Sequence, residues 1–317
     1  MTEQNQDTED CIRIGLLALD HAGHQAISDL LKSPILQDIS IAHWSVADTA
    51  SPEHVDADNL NSFLNVHHRL DILFILADIQ VAFEQERYAA ILAQISSPDK
   101  LVFTIPLASN SQSGRLIYDH SLDQLTIDNH AVLIEQSTYS IGQLSFTEEQ
   151  SAKNTKNRRQ NLALIIYGII GPLIHHGLIG TDLMEVQALL SQNSLIDVYL
   201  AVDNDSARAP NTARRILDYW RNTEHTVTNS SIVDVLITLI HGNDFALFEL
   251  DEVAALLLPA FSEVANCKLT ETPNLALDDQ MAVVMFVSRP NLNPQPINDQ
   301  SLGMASMLFN AKNREAV

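Results

Sequence analysis

The sequence predicts an α/β fold with a Rossmann-like N-terminal domain on a parallel sheet, a central buried helix, and a second α/β domain. Three observations predict it. Short apolar runs alternate with stretches of helical spacing through the first part of the chain, the pattern of buried parallel strands joined by crossover helices. Residues 162–174 are apolar on nearly every helical face, and a helix apolar all round has to be covered on all sides. After Gly177 the alternation begins again.

Taken in order, Ile14, Leu16, Leu17 and Leu19 mark a first strand, followed by a loop at Asp20-His21-Ala22-Gly23 and a helix carrying Ile27, Leu30 and Leu31. Residues 39–46, 70–77 and 100–106 read as further strands, and 81–95 has helical spacing. Residues 114–127 alternate in the manner of a small antiparallel ribbon. A basic stretch, Lys153, Lys156, Arg158 and Arg159, leads into the apolar helix, which is placed as a strut between two domains. Beyond it come a helix near 184–190, a strand at 195–202, a helix at 207–220, a strand at 232–240, a helix at 249–264 and a strand at 281–287. The expected division is an acidic, disordered tail (1–10), the Rossmann-like domain (11–157), the helix and the loop after it (158–182), the second domain (183–291) and a flexible tail (292–317).

Composition excludes several function classes. The 317 residues are 46% hydrophobic and 18% charged, a globular balance large enough for two cores. With 40 acids against 18 bases the net charge is −22, which repels nucleic-acid phosphates and anionic lipid, so no nucleic-acid partner is expected. Met1 to Asp10 has neither a basic start nor an apolar run, so no signal peptide is read there. The longest apolar run is too short for the roughly 20 residues of a bilayer span, so no membrane insertion is expected. Cys11 and Cys267, the two cysteines, lie outside any metal-type or CxxC spacing, which fits a cytoplasmic location.

Three segments carry a family resemblance. His241-Gly242-Asn243-Asp244-Phe245-Ala246-Leu247-Phe248-Glu249-Leu250 resembles the FtsZ segment in which a strand ends in a Gly turn, then an Asp, before Leu-Thr-Leu-x-Glu-Val opens a helix. Asp278-Asp279 before the strand at 281–287 is similar to the acidic turn and last strand of that family. Gly177-Leu178-Ile179-Gly180-Thr181-Asp182-Leu183-Met184-Glu185-Val186 resembles Gly-Leu-Ile-Asn-x-Asp-x-x-Asp-Val of FtsZ. The resemblance implies the FtsZ/tubulin fold over residues 12–290. It also implies that Asp182 and Glu185 stand where the family's synergy-type loop carries the acids that complete the GTP site of the next subunit. Gly180 replaces the family's Asn. A plainer role for the two acids is also open: Asp is a favoured N-cap, and Glu185 would support the first turn of the following helix.

The family's phosphate-binding glycines have no counterpart. Cradling a phosphate at a strand end requires backbone N–H groups to converge, which calls for glycines that permit close approach. After the first strand stands Asp20-His21-Ala22-Gly23, with one glycine; after the strand at 70–77 the run Asp78-Ile79-Gln80-Val81-Ala82-Phe83-Glu84-Gln85-Glu86 has none. A carboxylate about 4 Å from a phosphate charge costs about 1 kcal/mol in water and several times that in a less polar cleft. Asp20, His21, Gly23, Asp78, Gln80 and Glu84 therefore read as a degenerate nucleotide cleft, and neither GTP nor any other cofactor is expected. GxGxxG, the P-loop pattern and GxSxG are all absent. His21 and His24 come with no further ligands that the sequence can place beside them, so no metal site is assigned.

The function expected is a pseudo-GTPase scaffold that associates with itself or with a true FtsZ through tubulin-like end surfaces. Two alternatives stand beside it. One is a small-molecule-binding protein or enzyme using the remodelled cleft; the other is a filament former that needs no nucleotide. The apolar residues Leu302, Met304, Met307, Leu308 and Phe309 in the tail read as a docking segment for a partner or for this chain itself.

Overall fold

The computed structural model describes residues 12–46, 57–77, 95, 100–107, 131–136, 148–175, 177–190, 194–224, 234–264 and 266–290. The expected tails, the ribbon at 114–127, the helix at 81–95 apart from Ile95, and Asp78, Gln80 and Glu84 lie outside the described residues.

The elements in chain order are β1 (Ile14–Ala18), α1 (His21–Leu30), β2 (Ile41–Ser45), α2 (Ala57–Val66), β3 (Ile72–Ala77), β4 (Leu101–Pro106), β5 (Ala131–Gln136) and α3 (Glu148–Ile174). Then follow α4 (Leu183–Leu189), β6 (Ser194–Asp203), α5 (Arg208–Glu224), β7 (Asp234–His241), α6 (Leu247–Leu257), β8 (Asn266–Pro273) and β9 (Met281–Pro290). Among the described residues the strands form a nine-stranded sheet in the order β2-β1-β3-β4-β5-β6-β9-β7-β8. β1 pairs in parallel with β2 and β3, and the parallel run continues through β4 and β5 to β6. β9 is the antiparallel member, running between β6 and β7, and β8 closes the far edge parallel to β7.

The apolar runs are continuous because the strands are covered on both faces. Leu16, Ile72, Phe74 and Phe103 pack toward α1 and α3, whereas Leu17, Leu73, Ile75 and Val102 pack with Leu60 and Phe63 of α2. In the second half Val198, Leu236, Val284 and Phe286 face α3, and Tyr199, Ile237, Val283 and Met285 join a separate core with residues of α5 and α6. The residues of α3 from Leu162 to Ile170 are buried, and one apolar cluster runs from β1 through this helix to β9. The central helix is thus the shared wall of the two halves.

The structure changes several sequence-based expectations. α3 begins at Glu148, so the basic residues 153–159 belong to the helix and the boundary drawn at 157/158 falls inside it. α1 begins at His21, so Gly23 lies in its first turn and not in a preceding loop. α6 begins at Leu247 and ends at Leu257, with a 3-10 turn over Leu258–Phe261. α2, β5 and β8 are additional elements.

Candidate functional site

Two places invite a functional reading: the C-terminal ends of the parallel strands, and the loop after α3. At the first, Asp20 is the N-cap of α1 and its Oδ1 accepts a hydrogen bond from the Gly23 N–H at 2.6 Å. The Asp20 carbonyl also accepts from the His24 N–H at 2.9 Å. A carboxylate of the chain itself therefore occupies the helix N-terminus, where a phosphate would otherwise meet free N–H groups. Gly23 is buried, and a Cβ added to it would lie 2.2 Å from the carbonyl oxygen of Leu76. That glycine serves the close approach of α1 to the end of β3. His21 sits exposed beside this cap. Among the described residues no three His, Cys, Asp or Glu side chains are grouped to hold a metal ion.

At the second place Asp182 and Glu185 form a capping box at the start of α4. The Glu185 N–H donates to Asp182 Oδ1 at 2.8 Å, and the Asp182 N–H donates to Glu185 Oε2 at 3.3 Å. Glu185 Oε2 also accepts from the Thr181 hydroxyl at 3.0 Å and pairs with the Lys268 ammonium. The Lys268 hydrogen bond, then those from Thr181 and the Asp182 N–H, holds the Glu185 carboxyl below its usual range. Both acids are exposed, and both have a local structural task. The plainer role open to them in the sequence is the one this geometry displays.

The loop is fastened along the edge of the sheet. The Glu271 N–H and the Thr270 hydroxyl donate to the Ile179 carbonyl at 3.1 and 2.9 Å, and the Leu178 N–H donates to Glu271 Oε2. Glu271 is buried, and its other oxygen lies 2.6 Å from Nε2 of buried His241, whose Nδ1 faces the Gly242 carbonyl at 2.7 Å. A Cβ on Gly177 would lie 2.3 Å from the Glu271 carbonyl oxygen, whereas one on Gly180 would meet nothing within 4 Å. Gly180, the residue that departs from the FtsZ pattern, is therefore not imposed by packing. Leu183 packs against the core, while Leu178 and Met184 of the same segment turn outward, 67% and 77% exposed.

Arg208, which the sequence did not single out, fixes the neighbouring turns. Its guanidinium binds Glu249 twice, at 2.7 and 3.0 Å, Asp244 Oδ2 at 2.8 Å and the Asp279 carbonyl at 2.6 Å. This joins α5, the 242–246 turn, the start of α6 and the acidic turn before β9. Glu249 Oε2 also accepts from the Ala246 N–H at 2.9 Å. The Glu249 pairing, opposed by burial and aided by Asp244, raises the guanidinium above its ordinary range. An Arg in the first turn of α5 gives no local signal of such a network; the sequence singles out only the acids at 244, 249 and 279.

No protein-family profile matches the chain, and no curated protein matches it in sequence. Solved structures do share its fold. An empty FtsZ dimer from M. jannaschii aligns with a TM-score of 0.64 at 15% identity, over 92% of this chain and 96% of that one. A mutant FtsZ from the same organism gives 0.60 at 13% identity, over 87% and 91%. CetZ from Methanosaeta thermophila gives 0.55 at 10% identity, over 96% and 93%.

Proposed function

We propose, from a fold shared with FtsZ and CetZ, that this chain is a non-enzymatic scaffold that associates end-on with itself or with a nucleotide-bearing FtsZ and does not bind GTP. The observation that carries the reading is the Asp20 cap. Its carboxylate takes the Gly23 N–H at the first strand-to-helix junction, so a phosphate entering there would displace a charge-assisted hydrogen bond and face a like charge. The runs 20–23 and 78–86 together hold a single glycine, which leaves little backbone to wrap a triphosphate. GTP fits these residues poorly, and no catalytic step is assigned to them.

The loop at 177–185 supports the other half of the proposal. Glu271, Lys268 and the capping box hold its backbone, and Leu178 and Met184 point outward from it. Rigid apolar groups at a fixed edge suit protein contact, since little ordering entropy remains to be lost on binding. One of the similar structures is an FtsZ dimer, which is consistent with association through a surface of this fold.

The test is a fluorescent GTP titration alongside analytical ultracentrifugation of the purified chain. The expected result is no saturation up to about 1 mM nucleotide, a free energy near −4 kcal/mol, together with concentration-dependent association that GTP does not alter. Saturable micromolar binding would overturn the nucleotide half. A monomer at all concentrations that also fails to co-sediment with FtsZ filaments would overturn the scaffold half.

A further inference from the structure

We propose that the end of the second domain marked by Leu247, Phe248 and Leu275 is a docking surface for the chain's own segment 302–314. These three side chains are 61, 60 and 64% exposed, the first two opening α6 directly after the 242–246 turn and the third in the 3-10 turn Leu275–Leu277, and the two turns are tied together. The Asn274 N–H donates to the His241 carbonyl at 2.7 Å, and Arg208 ties Asp244 to the Asp279 carbonyl. An exposed apolar group on so firmly held a base is a preformed receiving surface.

Charge selects the occupant. Asp251, Glu252, Asp278 and Asp279 are exposed on the same segments, and neither 242–264 nor 273–282 contains a Lys, Arg or His. An acidic apolar segment would be repelled. Residues 302–314 hold Leu302, Met304, Met307, Leu308 and Phe309 followed by Lys312 and Arg314, with no acid among them. Apolar groups followed by two cations, within a chain of net charge −22, complement exposed apolar side chains on segments that also expose four carboxylates.

Reach permits it. Ser288 lies opposite Asp234 at the start of β7, and the receiving surface lies past His241 at its other end. Seven steps of strand are about 24 Å, while the eleven residues 291–301 span up to about 38 Å. A tether of that length gives an effective concentration on the order of 1 mM, so an intrinsic Kd of about 100 µM leaves the surface roughly 90% covered.

The experiment is amide hydrogen exchange on the full chain. Exchange at 248–250 and 275–277 is expected to be about tenfold slower in the unaltered protein than in a Leu308→Asp, Phe309→Asp variant. The difference should not depend on protein concentration. Lys312→Glu with Arg314→Glu should abolish part of the protection, and Phe248→Asp should speed exchange reciprocally at 302–309. Equal exchange in the unaltered and tail-altered chains would overturn the proposal. Protection that grows with concentration would also overturn it, by identifying a second copy as the occupant. Circular dichroism melts separate loss of docking from loss of fold, and none of these readouts depends on nucleotide or filament behaviour.

Discussion

The hydroxyl of Thr238 on β7 donates at 2.7 Å to the carbonyl of Gly168, the α3 carbonyl that Pro172 deprives of its helical partner. Proline has no N–H to return to the residue four positions earlier, and the oxygen left over is buried between helix and sheet. The contact is therefore a repair. Thr238→Val is expected to destabilise the protein by about 1–3 kcal/mol in urea unfolding, the cost of an unsatisfied buried acceptor. In a Pro172→Ala background, where the N–H is restored, the same change should cost less. Equal costs in both backgrounds would remove the explanation.

Replacing Arg208 leaves Glu249 buried without its cation. Arg208→Met is expected to cost about 3–5 kcal/mol. Burial raises the Glu249 carboxyl, but the Arg208 hydrogen bonds, the Ala246 N–H and the Arg208 charge more than offset this and leave it below 4.5. A depressed folded-state carboxyl adds stability above its unfolded value, and that stability is lost as pH falls through the lower folded value. Unfolding free energy of the unaltered protein should thus drop as pH falls below about 4.5. In Arg208→Met this component should vanish or reverse, which chemical denaturation between pH 3 and 6 will show.

Gly242 and Gly180 make a paired test. A Cβ on Gly242 would lie 1.8 Å from the Asp278 carbonyl oxygen, and Asp278 already has a left-handed φ of 52°. Gly242→Ala is expected to cost about 4 kcal/mol or more. Gly180→Ala enters open space and should stay within about 0.5 kcal/mol. Thermal melts of the two variants side by side suffice.

If association uses the 177–185 segment, Leu178→Asp with Met184→Asp should weaken self-association at least about tenfold in sedimentation equilibrium. Stability should change little, because both side chains are exposed. Unchanged association would move the interface elsewhere.

What the sequence revealed and what it hid follow one physical line. Leu73, Ile75, Val235, Ile237 and Val284 sit in strands covered on both faces, so burial wrote itself into unbroken apolar runs. β8 reads Asn-Cys-Lys-Leu-Thr-Glu-Thr-Pro, with Leu269 and Cys267 its only apolar residues. It becomes a strand through pairing with β7, a partner that lies outside its own window. The first half of α3 is polar and carries no apolar stripe, which hid its start at Glu148. Asp182 announced its capping role through the residue three places on. Arg208 and the His241–Glu271 pair did not, because their partners lie 41 and 30 positions away along the chain.

The loop after α3 bears on what a short sequence match can report. Gly177 is demanded by the nearby Glu271 backbone, and the acids at 182 and 185 are demanded by the first turn of α4. Each of the three thus has a task in the local fold. A match to this short stretch therefore reports on how the loop and the start of α4 fold, whatever chemistry the matched proteins perform.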